Sequence, residues 1–419
     1  MDEKNRLRFD SRVIHEALSP EKWEGATLPP IYQSASSRHE TAESLSYAFS
    51  GKNKDHIYLR LSNPTNSVFE EKIALLENGK GGVAMASGMA AVTNTCMALL
   101  RAGDEFIAHS SLFMSTYILF TGVFKKYNLE ARIIDAKSIR NIETSITDRT
   151  RFVYIETIGN PAIDIPDIEK TAQAAHASDL PLIVDNTLAS PFLVRPIDLG
   201  ADVVIHSTTK YLSGHGAATG GIVIDSANFK WDGNKRFPDF TPFVERKGRL
   251  ALLDKIWREH HINFGTTQAP FHSYLAMIGI DTLGLRMERH MSNALKVADY
   301  LTSHKKVKWV NFPGLDDHPD HATAKKMFNN KGFGAMLTFG LENQQQCFNF
   351  IDNLGMIFHL ANLGDCKTLV IHPWSSQYFS FDSEVKKKLC VTPDLLRLSV
   401  GIEHPDDIIN DMDQALENI

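Results

Sequence analysis

Between Gly103 and Lys210, short apolar runs alternate with helix-like stretches, and this alternation restricts the fold more than any other feature of the chain. Phe106-Ile-Ala108, Ala131-Arg-Ile-Ile134, Phe152-Val-Tyr-Ile155, Leu182-Ile-Val184 and Val203-Val-Ile205 are of strand length, and each gives way to polar or turn residues. Residues 115–127 and 166–176 are helix candidates between them. That order predicts a mainly parallel sheet with helices on both faces, an α/β fold. Chemistry in such sheets gathers at the carboxyl ends of the strands. Two ends stand out, Val184-Asp185-Asn-Thr187 and Ile205-His-Ser207-Thr-Thr209-Lys210. Alone, Lys210 would be an ordinary surface lysine and Asp185 a helix N-cap. Together they bring an acid and an amine to one sheet edge. A lysine there, among the hydroxyls of Ser207, Thr208, Thr209 and Ser213, suits a covalent amine catalyst whose pKa burial lowers.

At 419 residues the chain is long for one domain, which predicts two cores and an arm. Residues 1–62 show no sustained period and contain Gly25, Pro29, Pro30 and Gly51, as expected of an arm lying on another domain or a neighbouring subunit. After the Asn63-Pro64 turn, Thr65 or Asn66 can cap a helix through Val68, Ile73, Leu75 and Leu76 that stops at Gly79. A short apolar strand, the Ser87-Gly88 turn and an Ala-rich helix to Leu100 follow. Gly88 allows close backbone approach, and the first N–H groups of that helix can hold a phosphate. Small residues at a helix start also serve simple tight packing.

Residues 226–258 mix Phe229, Trp231, Phe237 and Phe240 with turn residues, and read as a surface loop over a site or subunit boundary. Farther on, Met287, Met291, Ala294, Leu295, Ala298 and Leu301 keep helical spacing, and 332–339 and 368–371 are strand-like. The expected partition is an arm (1–62), a large cofactor-binding domain (63–260) and a smaller C-terminal α+β domain (261–419).

Composition excludes several functions. The 43% hydrophobic and 22% charged content is that of a soluble globular protein. A net charge of −6 argues against a nucleic-acid or anionic-membrane partner, which would want a basic face. No apolar run approaches the roughly 20 residues of a membrane span. The charged start, Met1 to Arg8, has no apolar segment behind it, so no secretory signal is expected. Cys96, Cys347, Cys366 and Cys390 are scattered without metal-ligand spacing, which predicts no metal site and free buried thiols in a reducing cytoplasm. His206, His215 and His372 are expected to be hydrogen-bonded structure.

The strand-end pair has one economical reading, pyridoxal phosphate. The aldehyde of that cofactor needs an amine, its ring nitrogen a buried carboxylate, its phosphate a set of donors and its ring an aromatic face. Lys210, Asp185, Ser207 with Thr209, the turn Ser87-Gly88-Met89, and Phe113 can fill those roles. A nicotinamide site would open on Gly-x-Gly-x-x-Gly and a P-loop on Gly-x-x-x-x-Gly-Lys-Ser/Thr. Serine hydrolysis would want Gly-x-Ser-x-Gly. None is present.

The same residues carry a family resemblance. Tyr58-Leu-Arg60-Leu-Ser-Asn-Pro-Thr65, Ser87-Gly-Met89, Glu156-Thr-Ile-Gly-Asn160-Pro161, Val184-Asp-Asn-Thr187, His206-Ser-Thr-Thr-Lys-Tyr211 and Leu396-Arg-Leu-Ser-Val-Gly401 occur in order. From about residue 10 to its end the chain resembles the cystathionine γ-synthase-like (Cys/Met metabolism) family of pyridoxal-phosphate enzymes. The resemblance implies an aspartate-aminotransferase-like fold (fold type I), with a large, mainly parallel seven-stranded sheet domain and a smaller C-terminal α+β domain. It implies that Lys210 holds the cofactor, that Asp185 pairs with its ring nitrogen, and that Ser207, Thr209 and the Gly88 and Met89 amides bind its phosphate. Asn160 would touch the 3-hydroxyl. Tyr58 and Arg60 would reach the phosphate of a neighbouring subunit, in a cytoplasmic homotetramer of dimers that share active sites. Arg397 would clamp the substrate carboxylate, a task for a planar bidentate cation.

Within the family, Asn362-Leu-Gly-Asp365, Leu285-Arg-Met-Glu-Arg-His290 and the 226–258 segment resemble O-acetylhomoserine sulfhydrylases, with Asn362 in the substrate site. The implied reaction is γ-replacement on O-acetyl-L-homoserine by sulfide or a thiol, giving L-homocysteine and acetate. O-succinylhomoserine sulfhydrylase, methionine γ-lyase and cystathionine γ-synthase activities are the alternatives. Outside enzymes, the alternative is a catalytically silent interaction protein on the same fold, against which Lys210, Asp185 and Arg397 together weigh. Two departures qualify the match. Phe113 stands where the family usually stacks a tyrosine, so a phenol's help to the leaving group is missing, which favours replacement of a good leaving group such as acetate. Pro373-Trp-Ser-Ser-Gln-Tyr378 replaces the usual Pro-Ala-Ser-Thr-Thr-His, and Trp374 is expected to narrow the pocket mouth.

Overall fold

Strands buried on both faces need apolar side chains at consecutive positions, not at alternate ones, and the runs 106–108, 152–155, 182–184, 203–205 and 222–224 have them. The computed structural model, which describes residues 7–53 and 55–419, gathers them into one sheet. Its strands are β1 (Gly81–Met85), β2 (Glu105–His109), β3 (Glu130–Ile134), β4 (Thr150–Glu156), β5 (Leu182–Asp185), β6 (Val203–His206) and β7 (Gly221–Asp225). Their order across the sheet is β1-β7-β6-β5-β4-β2-β3. β2 to β6 run parallel, whereas β7 is antiparallel to both β6 and β1. Every residue of β2, β6 and β7 is buried. Residues 1–6, part of the charged start read as carrying no signal, and Lys54 of the polar stretch before Tyr58 lie outside the described residues.

Residues 64–76 form the expected helix, but its cap is one turn signal earlier. The Asn63 side chain accepts the Thr65 and Asn66 N–H groups at 3.0 and 3.4 Å, and Pro64, which has no N–H to satisfy, takes the first position. Residues 114–127 are helical throughout, with a wide turn at Leu119–Val123 and a tight one at Phe124–Tyr127.

The second sheet comprises β8 (Trp309–Asn311), β9 (Met336–Gly340), β10 (Phe358–His359), β11 (Leu369–Ile371) and β12 (Leu395–Ser399), ordered β10-β11-β12-β9-β8. All its pairings except β10 with β11 are antiparallel. Helices Leu283–Ser303 and Pro405–Glu417 bury Met287, Met291, Ala294 and Leu416. Among the described residues no helix is long and apolar enough to cross a membrane.

Two expectations need correction. The 226–258 segment is not a surface loop: Phe229, Trp231, Phe237, Phe240, Leu252 and Ile256 are buried in the core on one face of the large sheet, and the Trp231 and Phe240 rings stack at 4.5 Å. Its aromatics carry no period, so their burial is invisible without the fold. The arm also has more structure than its sequence indicated. Helix Phe9–His15 packs on its own chain through buried Val13 and the Phe9–Phe192 ring contact at 5.4 Å. Helix Ala42–Ser50 buries none of its residues.

Candidate active site

Three neighbouring parallel strands, β4, β5 and β6, end in Glu156, Asp185 and His206, and the chain beyond β6 turns sharply to present Ser207, Thr209 and Lys210. Helix Gly88–Leu99 points its N-terminus at the same place. Ser87 caps it, its hydroxyl accepting the Ala90 N–H at 3.1 Å. Ser87, Gly88, Met89, Phe113, Glu156, Asn160, Asp185, Thr187, Ser207, Thr209, Lys210, Asn362, Gln377 and Arg397 line one pocket. Of the thirteen residues assigned from sequence, eleven are therefore brought together. The other two, Tyr58 and Arg60, lie outside it: Tyr58 is exposed, and the Arg60 guanidinium donates to the Ile262 carbonyl at 2.5 Å and sits 5.6 Å from the Tyr58 ring.

The electrostatics separate these groups. Lys210 Nζ donates to Asn362 Oδ1 at 2.6 Å. Burial, helped by the nearby Arg397 charge, lowers its pKa to about 8, so a neutral, nucleophilic amine is accessible near physiological pH. Burial raises the Asp185 pKa, opposed by hydrogen bonds from the Thr187 hydroxyl (2.5 Å) and N–H (3.0 Å) to its Oδ1. The same Thr187 oxygen accepts the Ser207 N–H at 2.8 Å, so one threonine ties the acid of β5 to the turn that carries the lysine. Glu156 is pushed well above the usual carboxylate range, first by burial and then by Asp185. It accepts the Phe113 N–H at 2.6 Å and thereby holds the loop bearing that ring. Arg397, at the centre of the second sheet, reaches across to donate to Asn160 Oδ1 at 3.1 Å.

Trp374 is not part of the pocket. It packs against Tyr378 and its neighbours with the Lys386 ammonium 4.3 Å from its ring. The residue of segment 373–378 that lines the pocket is Gln377, whose Oε1 accepts from Arg397 Nη1 at 3.2 Å. Thr187, Glu156 and Gln377 were not singled out from sequence. Thr187 and Glu156 stand inside quoted motifs, where a hydroxyl two residues after the acid and a carboxylate at a strand end were the available signals; Gln377 offers none. The three histidines are hydrogen bonded, His206 to Glu77 (2.6 Å), His215 to the Ser213 carbonyl (2.6 Å), and His372 to Ser375 (2.8 Å) and the Pro393 carbonyl (2.9 Å). Of the cysteines, Cys96 and Cys347 are buried, whereas Cys390 is exposed and Cys366 intermediate.

The pocket fits pyridoxal phosphate. Lys210 is the single lysine among its lining residues, and Asp185 ends the adjacent strand. Gly88 lies so close to Ser207 that a Cβ there would fall 2.7 Å from the serine Cβ, which keeps backbone amides, not a side chain, at the wall. An amine, an acid and a glycine cradle on a sheet of this topology define a pyridoxal-phosphate-dependent enzyme of fold type I. The chain belongs to the family described as Cys/Met metabolism PLP-dependent enzyme, whose model matches residues 10–417. It is 39% identical to the homocysteine synthase of Schizosaccharomyces pombe over 98% of both chains. It is 38% identical to the O-acetyl-L-homoserine sulfhydrylase of Leptospira meyeri over 97% of this chain and 96% of that one. Among solved structures, a Campylobacter jejuni protein described as an O-acetylhomoserine (thiol)-lyase, which carries N'-pyridoxyl-lysine-5'-monophosphate, superposes with a TM-score of 0.95 at 32% identity, covering 98% of this chain and all of that one. The cystathionine γ-lyase of Lactobacillus plantarum, complexed with L-serine, gives 0.86 at 34% identity, covering 99% of each.

Proposed function

We propose that this enzyme catalyses γ-replacement on O-acetyl-L-homoserine with sulfide or a thiol, giving L-homocysteine and acetate. The observation that carries the reading is Lys210, an amine held near pKa 8 and 2.6 Å from Asn362, in a pocket that also contains a buried arginine. Names of relatives that match nearly the whole chain support the same substrate.

Pyridoxal phosphate, when bound, supplies an aldehyde for the substrate amine and a ring that withdraws electrons from the carbons beside it. Lys210 would hold the cofactor and, when its amine is free, would take and return protons at Nζ, since its depressed pKa makes it a competent base. Asp185, fixed by Thr187, would pair with the ring nitrogen and keep it protonated. Ser207, Thr209, Ser87 and the Gly88 and Met89 amides would hold the phosphate, Phe113 would cover the ring, and Asn160 would meet the 3-hydroxyl. Arg397 takes the substrate carboxylate, and Asn362 positions the Lys210 amine. Tyr58 and Arg60 complete the phosphate site of a neighbouring subunit, in a cytoplasmic homotetramer of dimers whose chains divide into an arm (1–62), a cofactor domain (63–260) and a C-terminal domain (261–419).

Phe113 favours replacement over elimination, because acetate leaves without the proton that a thiolate would require. The likeness to a cystathionine γ-lyase makes elimination the reading to test against. Purified protein is assayed with O-acetyl-L-homoserine, O-succinyl-L-homoserine and L-methionine. Sulfide-dependent homocysteine, formed faster from the acetyl donor, supports the proposal. Preference for the succinyl donor, or ammonia and 2-oxobutyrate from methionine as the main activity, overturns it.

A further inference from the structure

Arg397 is 2% exposed, and its hydrogen-bond acceptors are neutral oxygens. Its Nη1 group donates to Asn160 Oδ1 (3.1 Å) and Gln377 Oε1 (3.2 Å), and its Nη2 group to the Asn362 carbonyl (3.1 Å). Two acceptors account for both Nη1 protons. One Nη2 proton remains, and Nε has no acceptor among the described residues. Nε and one Nη2 proton are therefore the guanidinium donors left without an acceptor among the described residues, and a pair of arginine donors is what a carboxylate's two oxygens accept.

Gln377 shares the Nη1 group with Asn160 and so completes its occupancy. It belongs to segment 373–378, where the sequence leaves the usual sulfhydrylase pattern. The next residue, Tyr378, is also 2% exposed and donates its hydroxyl to the Asn160 carbonyl at 3.4 Å. Two successive residues thus brace the Asn160–Arg397 pair, one at the guanidinium and one at the backbone of its acceptor. Because arginine only donates, the Gln377 amide must turn its oxygen toward Arg397, which frees its NH2 group as a donor on a residue that lines the pocket.

We propose that Gln377 is a specificity-determining residue for the carboxylate end of the substrate: it selects which Arg397 donors are offered to the ligand and adds a second donor beside them. This rests on the reading of Arg397 as the carboxylate clamp. A neutral amide at this position holds the guanidinium without neutralising it, so its charge remains available to the ligand. A carboxylate in the same place would satisfy Arg397 internally and compete with the substrate.

Gln377→Glu tests this, with Gln377→Ala beside it. The holoenzyme is titrated with L-homoserine and with L-homoserinamide, which lacks the carboxylate, and binding is read from the cofactor's absorbance, not from turnover. Gln377→Glu is expected to weaken homoserine binding about tenfold or more and Gln377→Ala about threefold, with homoserinamide unchanged. Homoserine binding by Gln377→Glu within about twofold of the parent overturns the inference. So does equal weakening of acid and amide, which is the signature of a merely structural role. Arg397→Lys separates the two readings. If it weakens homoserine while Gln377→Glu does not, the Gln377 assignment falls and the clamp stands; if neither weakens it, both fall.

Discussion

Two residues far away in sequence, Arg397 and Asn362, shape the Lys210 amine. The side chain would hold a proton up to the ordinary lysine range, but burial and the charge of Arg397 bring its pKa to about 8, and Asn362 directs it from 2.6 Å. Below pH 8 the amine is mostly cationic and cannot attack an aldehyde; above pH 8 it is mostly neutral and can. The rate at which apoenzyme takes up pyridoxal phosphate, followed by absorbance, is therefore predicted to rise about tenfold per pH unit up to a midpoint near 8 and then level off. In Arg397→Gln the midpoint moves upward, since one cause of the depression is gone while burial remains. A midpoint near that of free lysine would contradict the assignment. Gln377 and Thr187 show the same logic at one remove: Thr187 holds Asp185, which its strand-end position identifies, and Gln377 contacts Arg397, which only the family resemblance identifies.

Among the elements, the most informative is the turn from β1 into helix Gly88–Leu99, packed against the turn after β6. Gly88→Ala puts a Cβ 2.7 Å from that of Ser207 without asking for an unusual backbone conformation. It is predicted to weaken pyridoxal-phosphate affinity about tenfold, or ~1.4 kcal/mol, in an absorbance titration, and to lower the thermal midpoint as well, since the Ser207 turn must shift to admit the methyl. An unchanged affinity would mean that the cradle is not part of the site. The elements that sequence discloses are those with a local rule: β2 to β6 as apolar runs that stop abruptly, and Leu283–Ser303 as a 3.6-residue period. Asp185 and Lys210 are legible for the same reason, since each closes such a run. Other elements follow non-local rules. The aromatics from Phe229 to Phe240 pack onto the large sheet without a repeat, and the Asn63 cap, though adjacent to Pro64, competes with Thr65 and Asn66 for the role until the backbone decides. Gln377 enters the pocket by tertiary folding alone, and Trp374, the more conspicuous residue of the same segment, does not.

At the scale of the molecule, the site lies where the two sheets meet, because Arg397 on β12 reaches Asn160 beyond β4. The arm leaves Tyr32, Tyr47, Phe49 and Tyr58 exposed on one chain, and Tyr58 and Arg60 lie outside that chain's own pocket. If they serve a neighbour, Arg60→Ala and Lys210→Ala, each nearly inactive alone, should complement when co-expressed. Random pairing would restore about a quarter of the native sites, one in each mixed dimer. No recovery would place Arg60 outside any shared site. The most direct measurement of the central claim follows the fate of O-acetyl-L-homoserine as sulfide is raised. Replacement predicts acetate and homocysteine in equal amounts, with little turnover when sulfide is absent. Acetate released at the same rate without sulfide, accompanied by ammonia and 2-oxobutyrate, would contradict it.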